Sequence, residues 1–502
     1  MLEINNLKIE IDNKVIIEGL NLVVNKDDKL AIIGEEGNGK STLLKAIVGD
    51  VDYAKVNGNI NAKNHHIGYL KQVLDANELS LSAYDYLFNS EDDYYQNIDK
   101  LHKSINELNL SEEILKLDHM SNLSGGEKVK MQILKLLLSS CDILLLDEPT
   151  NDLDIKTLVW LEKFICNEKR PTVYVSHDET LLSKTANMIL HLELLKHKEE
   201  PKWTIKKCGY DDYVNMRNLS INKQTQIAKK EKMQFENKEN KLTQIMNKVE
   251  YQQATISRSN PHGGKLLKKK MKSLKSQEKR LDEKELVKVP DVEENINIFF
   301  NETSIPKSKT ILDISISDLM ISNVILSSNI NLKINGNKHI VITGKNGIGK
   351  TTLLKYIYKM LKERTDIKVG YMPQNYDDIL DGNKSPIDFL CHNNFDISSA
   401  RSYLGNANFT RDEMTNKISN LSGGSKAKLI IVYLILGNYN VLLLDEPTRN
   451  VSPLSNPIIR NILKSFNGCI ISVSHDRKYI NEVCTEIYEL TSSGLKIRKD
   501  LD

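Results

Sequence analysis

An ordered set of short motifs occurs twice in this chain, and that repeat constrains the fold more than any other feature. Gly34-Glu-Glu-Gly-Asn-Gly39-Lys40-Ser41 returns as Gly344-Lys-Asn-Gly-Ile-Gly349-Lys350-Thr351, an offset of 310 residues. Gln72 returns as Gln374, an offset of 302. Leu123-Ser-Gly-Gly-Glu127, Asp147-Glu148 and Ser176-His177-Asp178 return as Leu421-Ser-Gly-Gly-Ser425, Asp445-Glu446 and Ser474-His475-Asp476, all at an offset of 298. A constant offset through three motifs makes the later part of each unit collinear, so the length differences lie earlier, between the first and third motifs. The chain reads as a tandem duplication of one domain, and its 502 residues suit two or three domains.

Each unit opens with G-x-x-x-x-G-K-[ST] behind an apolar run, Leu30-Ala-Ile-Ile33 or Ile340-Val-Ile-Thr343, and ahead of a helical segment. Gly34, Gly37 and Gly39, with Gly344, Gly347 and Gly349, would let backbone N–H groups wrap phosphates at a helix N-terminus. Asn38 and Asn346 lie in the same loops, and Thr42 and Thr352 just inside the helices. Lys40 and Lys350 would reach the β and γ phosphates, while Ser41 and Thr351 supply a hydroxyl to Mg²⁺. The runs Ile143-Leu-Leu-Leu146 and Val441-Leu-Leu-Leu444 read as strands buried on both faces of a parallel sheet, each ending in Asp-Glu-Pro-Thr at the sheet's C-terminal edge. Asp147 and Asp445 are assigned to the Mg²⁺ shell, and Glu148 and Glu446 to polarising the attacking water. His177 and His475 follow further apolar runs to that edge and are read as catalytic because the Ser-His-Asp context is duplicated. Gln72 and Gln374 are neutral side chains able to reach Mg²⁺ or water and so to report the nucleotide state. The chemistry expected is ATP hydrolysis at two sites.

With 69 Lys and Arg against 67 Asp and Glu the net charge is only +2, which conceals a basic middle. Residues 202–288 hold 22 basic and 10 acidic side chains, a local net of +12, which leaves −10 for the rest. Within it Ile221, Ala228, Phe235, Leu242, Val249 and Ile256 recur every seven residues, and Leu267, Met271, Leu274 and Leu281 follow Asn260-Pro-His-Gly-Gly264. That pattern predicts a first helix of about 40 residues, a turn and a returning antiparallel helix with a thin apolar seam. Six cysteines, none in a C-x-x-C spacing, read as reduced structural thiols. The N-terminus lacks the signature of a secretory signal and no apolar run approaches the ~20 residues a membrane helix needs, so a soluble, cytoplasmic protein is expected.

The order phosphate loop, Gln, Leu-Ser-Gly-Gly, Asp-Glu-Pro-Thr, Ser-His-Asp resembles that of ABC-type ATPases. Two such domains joined by a charged helical linker resemble the ABC-F family of translation-associated ATPases, across essentially the whole chain. The resemblance implies two tandem α/β ABC-type P-loop ATPase domains, at 1–200 and 297–502, joined by an antiparallel helical hairpin at 201–296 with its tip near 251–264. It implies head-to-tail closure within a monomer on two ATP and Mg²⁺. The loop 34–41 would face Ser422, Gly423 and Gly424, and the loop 344–351 would face Ser124, Gly125 and Gly126. The implied partner is the 70S ribosome, bound at the tRNA exit site with the linker toward the peptidyl-transferase centre, in contact with 23S rRNA and P-site tRNA. Lys248, Arg258, His262, Lys265, Lys268, Lys269, Lys270 and Lys272 are the candidate rRNA contacts, since clustered lysines beside a turn suit phosphates.

Subclass rests on smaller signals. The interval from Gln72 to Leu123 is 51 residues against 47 from Gln374 to Leu421, so no extra arm is inserted. With the unusual Glu446-Pro-Thr-Arg-Asn-Val-Ser-Pro453, this resembles the antibiotic-resistance branch of the Lsa and Vga type, which protects ribosomes from lincosamides, pleuromutilins and streptogramin A. A housekeeping ABC-F factor and the tandem ATPase of a membrane transporter are the alternatives, the latter disfavoured by the basic linker. Ser425 replaces an acidic or amide residue, and Asn450 and Ser452 stand where the first unit has Asp152 and Asp154, so the two sites are chemically unequal. Both keep their glutamate and are expected to hydrolyse. Aliphatic residues, Ile11 and Ile321, occupy the position of an adenine-stacking ring, which leaves GTP open beside ATP.

Overall fold

The apolar runs fold as the central strands of two mixed sheets. The computed structural model describes residues 1–62, 65–88, 90–108, 110–195, 199–255, 261–282, 296, 298–300, 305–321 and 324–498. The first repeat contains β1 (Leu2–Ile11), β2 (Lys14–Val24), β3 (Lys29–Ile33), β4 (Ala54–Asn61), β5 (Ile67–Leu70), β6 (Ile143–Asp147), β7 (Thr172–Val175), β8 (Met188–Leu194) and β9 (Glu200–Lys206). The second contains β10 (Thr310–Ile321), β11 (Val324–Asn335), β12 (His339–Gly344), β13 (Val369–Met372), β14 (Val441–Asp445), β15 (Cys469–Val473), β16 (Glu486–Thr491) and β17 (Gly494–Arg498).

The six-stranded sheets have the same topology, β5-β6-β7-β3-β8-β9 and β13-β14-β15-β12-β16-β17. In each, five strands run parallel and the last is antiparallel. Every residue of β6 and of β14 is buried, as unbroken apolar runs require when both faces are covered. β1 instead alternates at its start, burying Leu2 and Ile4 and leaving Glu3 less buried, because only one face of the β2-β1-β4 sheet meets the core. That core joins Leu2, Ile4 and Leu20 to Leu30, Leu43 and Ile143, so the antiparallel sheet and the phosphate-loop helix Lys40–Val48 close over one face of the main sheet. Ile311, Ile330, Ile340, Leu353 and Val441 do the same in the second repeat.

Met1–Tyr210 together with Glu293–Asp502 form one compact unit, and Asp211–Val292 a second. The second unit is built on helices Tyr210–Thr255 and Pro261–Asp282, the first 46 residues long. Val249, Met271 and Leu274 are buried together, with Leu242, Met246 and Leu267 half-buried against them. The seam is thin, as the polar intermediate positions dictate. The turn expected at Asn260–Gly264 is corrected: Pro261 to Gly264 lie in the first turn of the returning helix. Proline suits that position because its fixed φ is helical and its missing N–H has no partner to lose, and the following Leu and Lys residues offset two glycines. Ile256 and Arg258 lie outside the described residues. No helix among the described residues is long and apolar enough to cross a membrane.

Candidate active sites

The two phosphate loops emerge from β3 and β12 and cap helices Lys40–Val48 and Lys350–Lys362. Gly34 and Gly344 sit at φ +146° and +144°, and a Cβ on either would lie 2.2 Å and 2.5 Å from the carbonyl oxygens of Leu192 and Leu490. Only glycine fits there. Lys40 Nζ donates to the carbonyls of Gly34 and Glu35, both at 2.9 Å, and Lys350 Nζ to those of Gly344 and Lys345, both at 2.9 Å. Asn38 Nδ2 donates to Leu192 O at 2.9 Å, bracing the first loop on β8. The Thr42 hydroxyl lies 3.3 Å from that of Tyr53.

The strand-end carboxylates meet these loops. Ser41 Oγ donates to Asp147 Oδ1 at 2.9 Å and Tyr69 OH to Oδ2 at 3.3 Å. Burial, aided by the neighbouring Glu148 charge, pushes the Asp147 carboxyl up to about 6. Glu148 and Glu446 have φ of +50° and +53°, a left-handed conformation uncommon outside glycine that marks strain held by its surroundings. Gln72 is exposed just beyond β5.

At the first site, where the loop 34–41 meets the second repeat, the contacts are close. Glu36 Oε2 accepts from the backbone N–H of Gly424, and buried Glu35 takes Lys428 Nζ at 3.2 Å and Ser452 Oγ at 2.7 Å, with Ser455 Oγ also donating. His177 Nε2 pairs with Glu148 Oε1 at 3.0 Å while its Nδ1 donates to Val451 O at 2.8 Å across the repeats. Burial alone would lower the imidazole and raise the carboxyl, but their mutual attraction reverses both shifts, which favours the ion pair.

At the second site a cavity of about 480 Å³ separates the facing groups. Its walls include Gly125, Gly126, Lys350, Gln374, Glu446 and His475, and also Ser124, Gly347, Gly349, Thr351 and Thr352. Ile321 lines it too, an aliphatic side chain at the position expected for an adenine-stacking ring. Asn346 Nδ2 donates to the carbonyl of Asp152, beside Gly126. Both carboxylate oxygens of Asp445 are buried without a hydrogen bond among the described residues, as is His475 Nδ1. Burial, with the Asp445 charge second, pushes Glu446 up to about 7, while burial and the Lys350 cation push His475 down to about 3. The sites thus hold the same residue types in different surroundings: His177 lies against Glu148 in one, while His475 Nδ1 has no hydrogen-bond partner among the described residues in the other.

Ser425 changes the second signature locally. Ser124 and Glu127 form a reciprocal capping box, whereas Ser422 Oγ accepts from Ser425 N and donates to Ser425 Oγ, both at 3.1 Å, with no carboxylate at position 425 to bond back to the cap N–H. Glu35, Glu36, Lys428, Ser455 and the Val451 carbonyl were not among the residues singled out from sequence. Tyr69 was not singled out either, although the repeat marks it: Tyr371 occupies the same place in the other unit, its hydroxyl buried without a hydrogen bond among the described residues. Of the linker candidates, Lys248, Lys265, Lys268, Lys269, Lys270 and Lys272 are exposed and His262 is helical.

A family model described as "ABC transporter" matches residues 17–151 and 327–449. The chain is 29% identical over 512 residues to ATP-binding protein Uup of Buchnera aphidicola subsp. Acyrthosiphon pisum (strain APS), covering 98% of this chain and 81% of that one. It is 25% identical over 547 residues to ABC transporter F family member 5 of Arabidopsis thaliana, covering 98% and 75%. In fold it is similar to the archaeal ribosome recycling factor aABCE1, solved with the stalk protein aP1, at a TM-score of 0.62 and 17% identity over 98% of this chain and 89% of that one. Both matched segments hold a phosphate loop and a strand-end Asp-Glu pair, and the chain belongs to the ABC transporter family, as a tandem ATPase of its F type.

Proposed function

We propose that this ATPase binds the 70S ribosome at the tRNA exit site when its two halves hold ATP, with the basic linker directed along 23S rRNA and P-site tRNA toward the peptidyl-transferase centre, and lets go on hydrolysis. The observation that carries the reading is the cluster of exposed lysines at 265, 268, 269, 270 and 272 on one helix, in a segment of net +12 within a chain whose remainder is −10. Such a surface suits a phosphate backbone recognised by shape, as structured RNA is.

Within each site the roles divide by position. Lys40 and Lys350 neutralise phosphate charge, with the loop N–H groups orienting it. Glu148 and Glu446 hold the attacking water and His177 and His475 fix the glutamate and its surroundings. Asp445 fits a cation, since its two buried carboxylate oxygens, without a well-formed hydrogen bond among the described residues, line one cavity with Thr351 and Gln374. Ser41, Gln72 and Asp147 are the matching set at the first site. When bound, the ion neutralises charge on the β and γ phosphates.

A finer reading is ribosome protection against lincosamides, pleuromutilins and streptogramin A. The uninserted 51-residue interval and the Arg449-Asn450-Val451-Ser452 departure support it. A second reading is a housekeeping role in translation, which the same ATPase sites and basic linker would serve equally. The Glu148→Gln/Glu446→Gln variant tests the common core: turnover should fall at least about a hundredfold, as expected on losing a general base, with ATP binding kept. It should pellet with 70S ribosomes only with ATP; pelleting at no salt concentration removes the ribosome reading. Expression in a susceptible host then separates the finer readings, because unchanged inhibitory concentrations for all three drug classes leave only the housekeeping role.

A further inference from the structure

At the first site the chain supplies an anion of its own. The carboxylate of Glu36 accepts the N–H of Gly424, in the first turn of the 14-residue helix Gly423–Leu436. It lies so close that a Cβ on Gly423 would come within 2.9 Å of it. Free N–H groups and the dipole make a helix N-terminus the natural seat for a phosphate facing it from the opposite loop. The equivalent loop residue of the other site is Asn346, whose neutral amide donates to the Asp152 carbonyl beside Gly126. The adjacent Glu35 is neutralised by Lys428, whereas Glu36 has no ion pair among the described residues.

We propose that Glu36 sets the affinity of the first site and makes it the weaker of the two: its carboxylate holds the signature-helix N–H that the γ-phosphate of ATP must take. ATP therefore binds first at the second site and enters the first only by displacing Glu36. Two effects add, competition for one donor and repulsion between an unpaired carboxylate and a triphosphate. The inference rests on the two loops being the ATP sites.

Calorimetric titration of the full chain with Mg·ATP tests it, in the Glu148→Gln/Glu446→Gln background that stops turnover. Lys350→Ala leaves the first site to be read and Lys40→Ala the second. The first should bind about tenfold or more weakly than the second. In the Lys350→Ala protein, Glu36→Gln, which keeps the shape without the charge, should tighten binding about tenfold, or about 1.4 kcal/mol. Glu36→Asn, which copies Asn346, should do likewise. Unchanged or weaker binding in both Glu36 variants overturns the proposal. If neither lysine variant binds ATP while the unsubstituted loops do, each site depends on the other and independent affinities are ruled out; if no protein in the series binds ATP, the nucleotide reading itself fails.

Discussion

Arg460 is 3% exposed and grips Glu179 of the other repeat with both guanidinium arms, while its Nε donates to Glu482 at 2.8 Å. Removing one member of a buried pair leaves a stranded charge, which costs about 3–5 kcal/mol. Lys478 Nζ also reaches Glu179, at 3.2 Å, so Arg460→Ala should fall at the lower end, about 3 kcal/mol, in urea unfolding. Arg460→Met with Glu179→Leu should recover most of it, because no charge is then stranded; a double variant as unstable as the single would show that packing, not charge, is lost. Glu35 gives the pH counterpart. Burial would raise its carboxyl, but Lys428, Ser455 and Ser452 bring it down to about 2. Folding thus favours the ionised form, a contribution fully present above the ordinary value near 4.3 and lost as pH falls toward about 2. The destabilisation by Glu35→Gln should therefore be the same at pH 6 and pH 8, and a change between them removes this account. Neither Glu35 nor Glu36 was legible from the motif, because G-x-x-x-x-G-K-S leaves their positions blank and their partners lie 388 or more residues away. The motif residues themselves stand out because the roles proposed for them, toward phosphate, Mg²⁺ and water, each demand a residue type at a fixed place.

Elements built on continuous apolar runs were the most readable. β6 and β14 occur where Ile143–Leu146 and Val441–Leu444 predicted them, since no other element buries four consecutive branched side chains as well as a strand covered on both faces. The returning helix of the linker was less so. Pro261 and two glycines signal a turn and a helix start alike, and the sequence does not choose between them. The seam between the helices, by contrast, followed from the heptad spacing: Val249, Met271 and Leu274 form its buried cluster, and Ala228 of the same series is buried further along the first helix. Three side chains are little for two helices of 46 and 22 residues. Burying a Leu is worth about 2 kcal/mol, so Leu274→Asp should remove most of the apolar gain and add an unpaired charge. Hydrogen exchange should then speed at least tenfold across 242–255 and 265–274, while β6 and β14 keep their protection. Equal loss of protection in both units would mean that the linker and the ATPase unit unfold together.

At the scale of the whole molecule the charges are segregated, +12 on residues 202–288 and −10 elsewhere, so the two parts should answer salt differently. A single domain with a +2 net charge would have no strong salt-dependent attraction to RNA. A segment that places five exposed lysines within eight residues, 265–272, can release about one counterion for each phosphate it neutralises. With four to six such contacts, the logarithm of the ribosome affinity should fall against the logarithm of salt with a slope of about −3 to −5. Replacing Lys268, Lys269 and Lys270 together with Gln should flatten the slope by about 2–3 and weaken binding at low salt, while leaving ATP turnover without ribosomes unchanged because these residues lie outside the compact ATPase unit. Sedimentation of the turnover-deficient protein across a salt series reads all of this in one experiment. An unaltered slope in the triple variant would mean that the attraction comes from another surface, and the basic linker would then be a solvated helix face that keeps a thin hairpin in water.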